Sequence, residues 1–184
     1  DSTGELLLPH YATTNQRYRV TNTVTTDLAR FEARAAYAKS VPSAAAKPIL
    51  EEALGMVRGQ PFDVSRGYEW AFAESFVTRA AIAIAEAAQR LGEIALDDGD
   101  STMAEWAATR GLLAAPGDEG LYRIRMRAAK ASGKTSAVRQ ILNELCESIE
   151  DNEPYDQLDP KTIELFESLT GKSARTLTAV RDRG

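Results

Sequence analysis

Three features of the 184-residue sequence predict an all-α fold of stacked antiparallel helical hairpins with a small β-hairpin at the N-terminus. From Thr26 onward, apolar residues recur at spacings of three and four between capping and breaking residues. A turn glycine and apolar helix positions recur at an interval of 34 positions. Strand-like residues, β-branched and aromatic, are confined to positions 1–25.

The elements follow in order. Leu6–Tyr11 and Arg17–Thr25 read as two strands joined by the turn-like Ala12–Gln16. An isolated hairpin is marginal in water, so it must pack on the helical body or belong to a larger sheet. Thr26 or Asp27 caps a helix carrying Leu28, Phe31, Ala35 and Ala38. Val41-Pro-Ser breaks it, and Ser43 caps a second helix that runs to Arg58 and ends at Gly59. A long helix is expected from Glu69 to Leu96, stopping at the turn Asp97–Asp100. Helices from Ser101 to Ala115, from Asp118 to Ser132 and from Thr135 to Ile149 come next, punctuated by Pro116-Gly117 and Gly133. Asp159-Pro160 marks the start of a short closing helix, Thr162–Leu169, which Gly171 ends. Residues 172–184 form a basic, polar tail.

The interval of 34 is carried by named pairs: Gly99 with Gly133, Ala104 with Val138, Ala108 with Leu142. Counted from Ala85, the Leu91-Gly92 pair, Gly99, Ala104 and Pro116 fall where a tetratricopeptide unit places a Leu-Gly pair, a turn, a small residue and a terminating proline. Antiparallel helices approach closely only where small side chains meet, and the turn needs a residue that tolerates positive φ. The second unit departs from the pattern, with Arg125-Met126 in place of Leu-Gly.

Composition excludes several classes of function. The only Cys, Cys146, and the only His, His10, cannot assemble a Cys/His zinc site, and a catalytic triad would have to rely on His10. Asp97, Asp98 and Asp100 lack the spacing of a calcium loop and read as a turn with a helix cap. There is no Gly-rich phosphate loop, so the expectation is no metal, no cofactor and no enzyme. The net charge of −5 argues against direct DNA binding by this chain alone. No apolar run reaches the ~18 residues that would span a membrane. The absence of a signal peptide, and of any cysteine pair, makes a cytoplasmic setting the expectation. Asp1-Ser-Thr-Gly, without an initiator Met, reads as a cut end.

The order of motifs resembles a known family. A strand containing Tyr18-Arg-Val precedes Asp27-Leu-x-x-Phe31; Leu50-x-x-Ala-Leu54 leads into Arg58-Gly-x-Pro61, and Trp70 follows. This pattern, over about Tyr18 to Gly171, is similar to the bacterial transcriptional activator domain, the tetratricopeptide-like domain of actinobacterial antibiotic-regulatory activators. The resemblance implies a non-catalytic interaction or dimerisation module over residues 26–171. It would normally follow a winged-helix DNA-binding domain, of which residues 1–25 would be the last hairpin; the rest of that domain is not in this chain. Related domains also end envelope-associated proteins that carry peptidoglycan-binding modules. The alternative reading is therefore a scaffold domain forming the cytoplasmic part of such a protein.

The candidate binding residues are Arg123, Arg127, Lys130 and Lys134, which form one basic stripe on a helix. Leu121–Asn143 holds six basic residues and no acidic one, and Glu144–Asp156 holds six acidic and no basic. The stripe reads either as a face for an acidic partner or as a solvated surface partly paired with its neighbours. Trp106, with Trp70, Phe72 and Phe76, is an aromatic anchor candidate, since aromatic anchors dominate interface energy. Trp70 reads rather as core packed over the Arg58–Phe62 loop. Cys146, flanked by Glu144 and Glu147, lacks the positive surroundings that make a reactive thiolate.

Overall fold

The computed structural model describes residues 25–62, 75–149 and 154–173, and among these every regular element is helical. The expected hairpin over residues 1–25, all but Thr25, the residues Trp70 and Phe72, and most of the basic tail lie outside the described residues. The helices are α1 (Asp27–Lys39), α2 (Ser43–Gly55), α3 (Phe76–Asp97), α4 (Ser101–Leu112), α5 (Glu119–Ala131), α6 (Thr135–Glu147) and α7 (Pro160–Thr170). A 3-10 turn, Pro154–Gln157, leads into α7.

Local chemistry sets most of these boundaries. Thr26 accepts from the Ala29 amide at 3.1 Å, Asp100 from Met103 at 3.0 Å and Asp118 from Leu121 at 2.9 Å. Each satisfies one of the donors that a helix N-terminus leaves unpaired. Asp159 does the same for α7 through the Lys161 amide, with Pro160 in the first turn, as the sequence predicts.

Several ends differ from expectation, and the long helix α3 begins at Phe76, after Ser75 at φ +59°, not at Glu69. The N-cap of α2 is Pro42, not Ser43; its carbonyl receives the Ala45 and Ala46 amides, and Ser43 opens the helix. That helix also stops at Gly55, three residues short of Arg58. The Val57 side chain turns into the core, and the Val57 carbonyl accepts from the Arg110 guanidinium of α4 at 2.9 Å. Helix α4 ends at Leu112 rather than Ala115, where the Leu113 and Ala114 amides bond only three residues back, to the Arg110 and Gly111 carbonyls.

Three hairpins result, α1–α2, α3–α4 and α5–α6, each closed by a three-residue link. In the last two the middle link residue is a glycine at positive φ, Gly99 (+76°) and Gly133 (+73°). The same bond closes both turns: Asp100 N–H to Ala95 O at 2.7 Å, and Lys134 N–H to Ala129 O at 2.9 Å. The repeat read from the sequence is thus a repeat of backbone geometry.

Each helix packs on its sequence neighbour, except that α2 reaches α3 across the undescribed residues. The first helices of the hairpins also meet in series, α1 with α3, α3 with α5, and α5 with α7. Two glycines allow this closeness. A Cβ on Gly111 would lie 2.6 Å from the Ala88 Cβ, and one on Gly92 would lie 2.8 Å from the Ile124 Cγ2. The buried residues fall into two clusters: one spans α1 to α5, and the other joins α5 and α6 to the 3-10 turn and α7.

Candidate interaction face

The first helices of the hairpins share one polar face, and charged side chains bridge it helix by helix. Lys39 of α1 pairs with Glu86 of α3 at 2.7 Å. Glu93, further along α3, pairs with Arg127 of α5 at 2.6 Å. Between them Gln89 donates to the α5 cap, Asp118, at 2.8 Å, and Gly120 leaves the space for it.

From α5 to α7 the bridge is a connected polar node. The Glu119 carboxylate accepts the backbone amide of Asp159 with both oxygens at 3.0 Å and the Thr162 hydroxyl at 2.6 Å. Arg123 in turn donates to the Thr162 oxygen at 2.8 Å and lies 3.6 Å from Asp159. Thr162 is fully buried, and this node satisfies its hydroxyl as donor and acceptor, as a buried polar group requires. Lys130 closes the last bridge by donating to the Leu169 carbonyl at 2.8 Å near the C-terminal end of α7, where a cation also meets the negative end of the helix dipole.

The structure therefore brings three of the four stripe residues into contacts within the chain: Arg123 with Thr162 and Asp159, Arg127 with Glu93, Lys130 with Leu169. The fourth, Lys134, stands at the N-cap of α6 with its residue exposed. Trp106 lies half-buried against the first cluster, with the Arg110 guanidinium 5.7 Å from its ring. Phe76, at the start of α3, carries Arg79 over its ring at 4.5 Å. Cys146 is buried in the second cluster. The Asp97–Asp100 turn provides the cap of α4 and receives Lys47, 2.7 Å from Asp98 and 3.8 Å from Asp100.

Sequence reasoning missed the residue that ties α4, α5 and α6 together. Arg125, noted only as a departure from the Leu-Gly pattern, pairs with Glu105 at 3.0 Å and with Glu144 at 2.6 Å, and lies against the Tyr122 ring. Burial of the guanidinium works against its charge, and the hydrogen bonds to Glu144 and Glu105 outweigh this, so its pKa is raised. Burial raises the Tyr122 phenol as well, with Arg125 opposing. On the outer side, Arg34 of α1 pairs with Glu52 of α2 at 2.6 Å and lowers the pKa of that carboxyl through the hydrogen bond. Two large apolar residues remain exposed on first helices, Tyr37 at 60% and Ile82 at 53%.

Stacked three-residue-linked hairpins with a face built from their first helices define a helical-repeat module of tetratricopeptide type. Within that class the particular family is given by sequence: the family model for the bacterial transcriptional activator domain matches residues 26–152, and the chain belongs to that family. No curated protein and no solved structure matches it. Among the described residues no helix is long and apolar enough to cross a membrane.

Proposed function

We propose that this chain is a non-catalytic interaction module of a bacterial transcriptional regulator that pairs with a second copy of itself. The observation that carries this reading is the family match across the stacked hairpins, residues 26–152. Helical stacks of this kind act by presenting a continuous surface assembled from successive units. The basic stripe enters as a shared surface. Arg127 keeps 38% of its side chain exposed while it pairs with Glu93, and Lys134 is exposed, so both can meet a partner's carboxylates at the rim.

Contact with DNA belongs to other parts of the regulator in this reading. The net charge of −5, and the engagement of Arg123, Arg127 and Lys130 by groups within the chain, both support that division. Such a module works in the cytoplasm, and its partners are proteins.

Sedimentation equilibrium of the full chain over a micromolar concentration range tests the proposal. A concentration-dependent dimer that the double substitution Arg127→Glu, Lys134→Glu weakens by ~10-fold or more is the expected result. A strict monomer, or a tight complex with duplex DNA at physiological salt, would overturn it.

A further inference from the structure

Helix α7 stands apart from the rest of the stack in three ways. It is a first-position helix with no following partner helix in the described structure. It begins at Pro160, beyond the end of the family match at residue 152. And it contributes one large side chain, Phe166, to a buried cluster otherwise formed by α5 and α6 with Leu158. Without Phe166 and Leu158, the apolar side chains of Met126 and Ala129 on α5 and of Val138, Leu142 and Leu145 on α6 would line an open trough.

Seated in the trough, α7 makes the contacts of a helical ligand in a groove. Its inward face runs through the buried Thr162 and Phe166 to Leu169, spacings of four and three, the pattern by which an amphipathic helix docks, with Ile163 and Leu165 also packed against the cluster. Polar groups of α5 then fix its two ends. Glu119 takes the backbone amide at the α7 N-cap, and Lys130 takes the Leu169 carbonyl near the other end. These contacts favour a helix in this polarity, because a carboxylate suits a helix N-terminus and an ammonium its C-terminus.

We propose that the trough between α5 and α6 is a helix-binding site and that α7 is its tethered occupant, able to leave as a unit and be replaced by the α7 of a second copy. The replacement repeats every contact of the original, so it needs no new complementarity. This deepens the self-association reading and rests on it only for the source of the second helix.

The test uses the full chain together with a fluorescent peptide of residues 154–173. Hydrogen exchange should show α7 amides opening at least ~10-fold more often than those of α3 and α4. Fluorescence anisotropy should show the peptide binding to the full chain at least ~10-fold more tightly once the chain carries Phe166→Ala, because the resident helix then competes poorly. The peptide carrying Phe166→Ala should lose binding by a similar factor. The milder Glu119→Gln chain guards against misfolding of Phe166→Ala. It weakens the acceptor for both resident and incoming helix, so it should speed α7 exchange without improving peptide uptake. If α7 amides open only together with α3 and α4, or if the peptide binds neither the native nor the Phe166→Ala chain, the proposal is overturned. Sedimentation of the unmodified chain reports self-association separately, so a monomer that still takes up the peptide would defeat the pairing reading and leave the trough assigned.

Discussion

The two buried clusters are built on opposite principles. Among the described residues the first, spanning α1 to α5, has 22 members of which 13 are alanines, and it is held where backbones nearly touch, at Gly92 and Gly111. The second, joining α5 and α6 to α7, has ten members of which only Ala129 is an alanine, and it depends on Phe166, Met126 and three leucines. A core of small side chains fixes helix separation and has no room for added atoms, whereas a core of large side chains stores its stability in a few anchors. The first is therefore vulnerable to enlargement and the second to truncation.

The sharpest way to break this comparison is Phe166→Ala. Truncating a buried Phe costs ~3–5 kcal/mol, and here the loss should fall on the docking of α7. Labelling of Cys146 by a thiol reagent measures it, because that thiol is buried in the same cluster. Faster labelling with little change in the urea midpoint of the α1–α4 signals would establish two separable cores; a common fall would unite them.

Gly111→Ala probes the other core. The added Cβ, 2.6 Å from that of Ala88, has no flexible neighbour on that side to yield, so a global loss of ~1–3 kcal/mol is expected in urea denaturation. Gly99→Ala and Gly133→Ala should cost about equally, ~1 kcal/mol each, because both sites have open space around the new Cβ and differ from ordinary sites only in their positive φ. Unequal thermal shifts would show that the two turns are not equivalent.

The smallest effect concerns pH. The hydrogen bond from Arg34 depresses the folded-state pKa of Glu52, so the pair adds stability above the unfolded carboxyl pKa and loses it as pH falls through the folded value. Below about pH 4 the wild-type chain should lose slightly more stability than Glu52→Gln, read as the difference between urea midpoints at neutral and acid pH.

Local signals made much of the fold legible. Thr26, Asp100, Asp118 and Asp159 announce helix starts because each cap acts within three residues of itself. Gly99 and Gly133 announce the repeat because positive φ selects glycine wherever the turn recurs. The ends of α2 and α4 were not legible. The first depends on Arg110 reaching the Val57 carbonyl from 53 positions away, and the second on how the chain turns at Gly111 to reach α5.

The same distance separates the basic stripe from its partners. Its spacing shows one helical face, but Glu93 lies 34 positions before Arg127, and Thr162 lies 39 after Arg123. Only the stacking of α3, α5 and α7 brings them together. Arg125 escaped notice for a related reason: its role depends on Glu105 and Glu144, which flank it at nearly equal distances in opposite directions along the chain.

The bridges of the polar face also carry information about order. Helix α3 presents carboxylates to both neighbours, Glu86 towards Lys39 on α1 and Glu93 towards Arg127 on α5, so an acidic column stands between two basic ones. Placing α1 directly beside α5 would set Lys39 near Arg127 with no intervening acid, and two copies of α3 side by side would oppose carboxylates. The pattern works as an address for each helix, written in charge and readable only when the neighbours are the right ones. Concentrated salt, which screens exposed charges, would blur that address long before it weakened the alanine-packed core beneath.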